Sequence, residues 1–215
     1  MLTYFQDDKP TGAVEYWQRT MAPDGFEFLR VDLDAREAVS EHSYLYHAVI
    51  NPQGRLARLK YRFWGRVAGE MVRILGDVVF EETVVSASRE VNGESFEQVL
   101  AVPRGYHVWF PAVMGLHFVG KWGGVPSDTA VTLQSNPQDP DFLSLYTTSF
   151  TLMPLITDFI DAEIAGKIRP YSPWHLSWQD QWRIIWRSEE DGWPIGMERQ
   201  GLTAVASRIT RYQNE

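Results

Sequence analysis

Few side chains in this sequence are able to do chemistry, and they are scattered. His107 and His117 each stand among apolar neighbours: Tyr106, Val108, Trp109 and Phe110 around the first, Leu116 and Phe118 around the second. On two neighbouring strands their shared parity would place both on one face of a sheet. A pair of neutral imidazoles in an apolar cleft suits proton transfer, or hydrogen bonding to a ligand carboxyl or hydroxyl. Either histidine would then be a general acid or base, with a tyrosine such as Tyr106 as partner. The plainer alternative is two satisfied histidines in a core or at its rim. His42 and His47 face opposite sides of one strand and cannot grip a single metal ion, and His175 reads as a turn residue packed on Trp174.

The carboxylates say less. Asp32 and Asp34 have the spacing of a hard-cation pair on a strand, but further oxygen ligands are missing, so they read as a solvated strand end. Glu81-Glu82 and Glu189-Glu190-Asp191 read as surface charge. The sequence holds no GxxxxGK[ST] phosphate loop, no GxGxxG fingerprint, no GxSxG elbow and no HExxH helix. With no cysteine, disulfides, thiolate metal sites and a cysteine nucleophile are excluded. No cofactor is implied.

Aromatic residues carry more information. The chain has nine Trp, nine Tyr and eleven Phe, several in strand alternation: Tyr44 with Tyr46, Tyr61 with Phe63, Trp182 with Trp186. Such rings pack well on a pleated surface, which alone accounts for many of them. An excess of bulky side chains with a polar handle also suits a greasy pocket with a few oriented hydrogen bonds. The expected lining is Tyr61, Phe63, His107, Trp109, His117 and Phe118, with Trp122 near the rim. The run Gly120-Lys121-Trp122-Gly123-Gly124-Val125-Pro126 would form a lip at the mouth.

Elements to position these residues follow from a dominant period of two. Ala57, Leu59, Tyr61 and Phe63 alternate with Arg58, Lys60 and Arg62, as in a half-buried antiparallel strand. Turn chemistry recurs between such runs. Pro23-Asp24-Gly25 separates 14–21 from 26–33, Asn51-Pro52-Gln53-Gly54 follows 42–50, and Asn92-Gly93 separates 78–91 from 94–102. Further strands are expected over 106–110, 115–119, 129–134, 142–150, 181–187, 193–199 and 202–212, and 136–141 must be a loop. Helical spacing of Leu155, Phe159, Ile160 and Ile164 predicts one helix over 155–168, with Thr157 placed to cap it. The expectation is a mainly β chain, with a single curved antiparallel sheet as half-barrel, lipocalin-like barrel or spiral β-roll.

Bulk properties narrow the classes. A chain of 215 residues buries about 70% of its extended surface on folding, enough for a core without staples. Net charge −8 argues against nucleic acid. Arg55, Arg58, Lys60, Arg62 and Arg66 then read as one solvated strand face. No segment has the length and apolarity to span a membrane as a helix. The N-terminal residues lack the pattern of a secretory signal, so the expected location is cytoplasmic.

Near the C-terminus, Ile185-Trp186-Arg187-Ser188-Glu189-Glu190-Asp191-Gly192-Trp193-Pro194-Ile195-Gly196-Met197-Glu198, followed by 203–212, resembles the closing strands of an uncharacterised bacterial family with a lipoprotein-carrier-like half-barrel. The resemblance implies a half-barrel ending in a strand, an acidic turn, a Pro-led strand and a last amphipathic strand. It supplies no catalytic residues. The function expected from these readings is non-catalytic binding of a lipid-like or other apolar small molecule in the concave face. The alternative is a lipocalin-like hydratase or isomerase with a histidine acid/base. A third reading is a module that presents exposed aromatics to a protein partner.

Overall fold

The computed structural model describes residues 1–38, 41–120, 128–156 and 158–210. Eight strands follow one another as an antiparallel meander: β1 (Leu2–Gln6), β2 (Lys9–Met21), β3 (Glu27–Ala35), β4 (His42–Ile50), β5 (Leu56–Val67), β6 (Glu70–Phe80), β7 (Val84–Val91) and β8 (Glu94–Ala101). Short turns dictate the pairing. Asp7-Asp8, Ala68-Gly69 and Asn92-Gly93 all have positive φ, the backbone that matches the twist of two-residue hairpins. Between β4 and β5 the side chain of Asn51 accepts the backbone N–H of Gln53 and of Arg55, at 3.1 and 2.9 Å.

After the meander the chain leaves the sheet. It forms β9 (His107–Val108), a 3-10 helix (Met114–Phe118), β10 (Thr129–Leu133) and β11 (Leu145–Ser149). In this three-stranded sheet β10 lies parallel to β9 and antiparallel to β11. The chain then rejoins the large sheet through β12 (Thr151–Pro154), β13 (Ile160–Ile164), β14 (Lys167–Trp178), β15 (Gln181–Ser188), β16 (Pro194–Arg199) and β17 (Leu202–Ala206). The large sheet has fourteen strands in the order β12-β14-β15-β16-β17-β1-β2-β3-β4-β5-β6-β7-β8, with β13 paired beside β12 on β14. Its N-terminal and C-terminal runs of strands join at the β1–β17 pair, where Leu2 lies opposite Ala206. The sheet is curved and open: β8 bounds one side, β12 and β13 the other.

One face of this sheet is apolar. On β5, Leu59, Tyr61 and Phe63 are buried while Arg58, Lys60, Arg62 and Trp64 between them are exposed. The insert between β8 and β12 covers that face, and rings from the two layers interlock. Tyr46 meets Phe110 at 4.7 Å between centroids, and Phe63 meets Phe142 at 4.9 Å. A second, small core of Ile164, Ile195 and Ala206, with Tyr171 and Trp186 packed on it, brings the β13–β14 hairpin against β16 and β17.

Three local expectations are corrected. No helix forms among the described residues of 155–168: Ile160, Ala162 and Ile164 alternate with Asp161 and Glu163 on β13, and Ala165-Gly166 turn back with φ of 54 and 71 degrees. Ile160 then pairs with Tyr171 and Ile164 with Lys167. The cap proposed at Thr157 lies outside the described residues. The strand expected over 115–119 is the 3-10 helix, closed by the N–H of Gly115 and Leu116 donating to Ala112 and Val113 at 3.1 Å. A Cβ on Gly115 would sit 2.3 Å from the Phe110 carbonyl oxygen, so only glycine permits this tight passage. Finally, the run 78–91 is broken where Glu81 N–H turns back to the carbonyl of Val84.

Candidate functional site

The expected lining residues sit between the sheet and its insert. Tyr61 is 4% exposed and its hydroxyl donates to the Leu143 carbonyl at 2.6 Å. Its ring fills the space beside Gly76 on β6, where a Cβ would lie 2.0 Å from Cζ. Phe63, 1% exposed, is held between Tyr44 and Phe142, each 4.9 Å away. Phe118 packs on Phe110 at 5.9 Å and edge-on to Trp193. Trp109 contacts Trp178 of β14 at 5.2 Å and Phe150 at 5.8 Å. Trp122, and the glycine-rich run after Gly120, lie outside the described residues.

The histidines have different partners. His107 on β9 accepts the Gly120 N–H at Nδ1, 3.0 Å away, and its ring meets Phe150 edge-on at 4.9 Å. Burial lowers its pKa from the ordinary imidazole value. His117 belongs to the 3-10 helix, so the shared parity expected of two strands does not apply. Its ring stacks on Trp193 at 3.4 Å. The Tyr106 hydroxyl donates to the Glu81 carbonyl at 2.8 Å.

Hydrogen bonds from side chains of the sheet fasten the insert along one flank. Arg89 of β7 donates to the Phe142 carbonyl at 2.6 Å. Gln98 of β8 both donates to and accepts from the Leu145 backbone. On β2, Glu15 is fully buried. Its Oε2 accepts the Tyr4 hydroxyl at 2.7 Å and the Val113 N–H at 2.9 Å, while Oε1 accepts the Met114 N–H at 3.0 Å. Burial raises this carboxyl's pKa, opposed by the Met114, Tyr4 and Val113 donors. On the opposite flank, β14 and β15 meet the insert mainly through rings. The bond there is Arg187 Nη2 to the Val119 carbonyl at 2.6 Å.

Three arginines of that flank share parity with buried apolar residues: Arg183 and Arg187 with Ile185 on β15, and Arg199 with Met197 on β16. Arg183 lies over the Trp178 ring at 5.0 Å, and Arg187 over Trp174 at 5.2 Å. Burial pushes the Arg183 guanidinium pKa down to about 9, with Arg199 adding to the effect, and that of Arg187 to about 10. Glu15 and these arginines went unnoticed in the sequence. Period-two alternation was the available signal: Glu15 falls between Ala13 and Trp17, and Ile185 between the two arginines of β15.

The sheet's other face is polar. A shallow trough of about 470 Å³ there is bordered by Leu45, His47, Lys60, Arg62, Asp77 and Glu97. Asp77 pairs with Arg58 and, at 3.5 Å, with Lys60. Among the described residues no group of three His, Asp or Glu side chains is placed to hold a metal ion. Among the described residues no helix is long and apolar enough to cross a membrane.

Fold and site define a mainly β protein with an open, curved antiparallel sheet whose apolar face is covered by its own insert. Its structure is similar to that of a beta-barrel-like protein of the domain of unknown function DUF1849 from Brucella abortus, at 11% identity, over 95% of this chain and 91% of that one, with a TM-score of 0.43. No family model and no curated protein matches the sequence.

Proposed function

We propose that the protein binds an apolar, lipid-like small molecule without performing chemistry on it. The guest lies between insert and sheet on the β14–β15 flank, against Trp109, Phe150 and Trp178. The observation that carries this reading is the uneven fastening of the insert. Side chains of β2, β5, β7 and β8 bond to its backbone, whereas β14 meets it through the tilted rings of Trp178 and Trp109. Parting these rings breaks dispersion contacts that an apolar guest restores in kind. In this reading His107, His117 and Phe118 bound the layer, while Tyr61 and Phe63 anchor the fixed flank. With its Nδ1 lone pair accepting a backbone N–H, His107 cannot also serve as a base through that nitrogen.

Native mass spectrometry of the purified protein, with tryptophan fluorescence during titration by dodecanol, tests the proposal. Uptake of one molecule per chain is expected. Trp109→Ala should weaken it about tenfold or more while costing less stability than Phe63→Ala, which empties a packed site at about 3–5 kcal/mol. Absence of any co-purifying or added apolar ligand overturns the reading.

A further inference from the structure

Arg183 and Arg199 stand on adjacent strands with their side chains on the apolar side of the sheet. The antiparallel register that sets Ile184 opposite Glu198 puts Arg183 and Arg199 side by side across β15 and β16, and the Arg199 charge acts on Arg183 and on the phenols of Tyr4 and Tyr44. Arg183 Nη1 donates to the Trp182 carbonyl at 2.6 Å and Nη2 to Gln181 Oε1 at 3.3 Å. Among the described residues neither guanidinium has a carboxylate within ion-pair distance, and Arg199 makes no side-chain hydrogen bond. Both are partly buried. The chain holds 28 Asp and Glu against 20 Lys and Arg, so two neighbouring cations without a counter-ion are not explained by a shortage of acids.

Like charges withdrawn together from water are costly unless an anion joins them. Guanidinium groups offer paired N–H donors that match a carboxylate or a phosphate, and they lie flat on aromatic faces. Arg183 already rests on Trp178, which contacts Trp109. Cationic fork and ring layer are therefore continuous. We propose that Arg183 and Arg199 together hold the anionic head, carboxylate or phosphate ester, of an amphiphile whose apolar tail lies along Trp178 and Trp109. This assignment rests on the reading of the protein as a binder of apolar molecules. Arg187 is outside the head site, since it lies over Trp174 rather than Trp178 and its Nη2 donates to the Val119 carbonyl.

Titration of tryptophan fluorescence with dodecanoate, dodecyl phosphate and dodecanol separates the two ideas. At least one of the anions should bind about tenfold more tightly than the alcohol, and the stronger one identifies the head group. Arg183→Gln and Arg199→Gln should each erase that advantage, and Arg199→Gln, which does not touch the ring layer, should leave dodecanol unaffected. Arg199→Lys should restore only part of it. On the unaltered protein, added salt should weaken the anions and not the alcohol. Without ligand, Arg199→Gln should raise the melting temperature by about 1–3 °C, because it removes a repulsive charge. Equal affinity for alcohol and anions, or a preference that survives both Gln variants, overturns the anion site while the binder stands. A melting temperature lowered by Arg199→Gln also counts against the site. If none of the three amphiphiles binds, the binder reading fails and this assignment with it.

Discussion

Glu15 shows how much one buried side chain does in this protein. Its carboxylate takes up two backbone N–H groups where the 3-10 helix begins, and a phenol from the neighbouring strand. An amide at this position has a single acceptor oxygen, and its NH₂ would confront a donor. Glu15→Gln should therefore cost about 1–3 kcal/mol. The check is urea unfolding, with a lower midpoint at unchanged slope. An unchanged midpoint would mean that the carboxylate does not fasten the insert. Alternation from Ala13 to Trp17 already assigns Glu15 to the apolar side. Its donors were beyond reach, because Val113 and Met114 lie 98 and 99 residues away, and no local pattern encodes such a pairing.

Among the elements, those ended by strong turn residues were legible. Asn92-Gly93 and Asn51 to Gly54 fix their hairpins through local backbone preference, independent of the rest of the fold. The β13–β14 hairpin was not, because Ile160 and Ile164 fit both a helical and a strand period over so short a stretch. Ala165-Gly166 decides it, and Ala is a weak turn signal. The insert was legible least: a strand of two residues and a 3-10 helix owe their shape to the surface they cover. That same surface explains why the expected lining is filled by Phe110 and Phe142 from the chain itself. Close packing at this layer makes Gly76 a sensitive position, since an added methyl meets the Tyr61 ring. Gly76→Ala should destabilise by about 1–3 kcal/mol. In the double variant with Tyr61→Ala the two losses should sum to less than their separate values. Simple additivity in denaturation measurements would refute the contact.

At the scale of the whole molecule, the buried phenols govern the response to base. Burial raises the pKa of Tyr4, Tyr44, Tyr46 and Tyr61 above the ordinary value. In the unfolded chain these groups lose their protons near pH 10. Above that pH the folded state retains protons that the unfolded state has released, so stability falls as pH rises. Each phenol contributes about 1.4 kcal/mol per pH unit to that fall. Tyrosinate absorbance from these four should appear together with loss of the sheet's circular dichroism, in one transition above about pH 10. Smooth ionisation of every tyrosine with the sheet intact would contradict their burial. The β1–β17 seam has a different consequence, for biosynthesis. Leu2 waits for Ala206 to complete its pairing, so on the ribosome β1 keeps one bare edge until β17 has emerged. The nascent meander is thus exposed on both flanks until β17 arrives, an interval in which bare strand edges invite pairing with other chains.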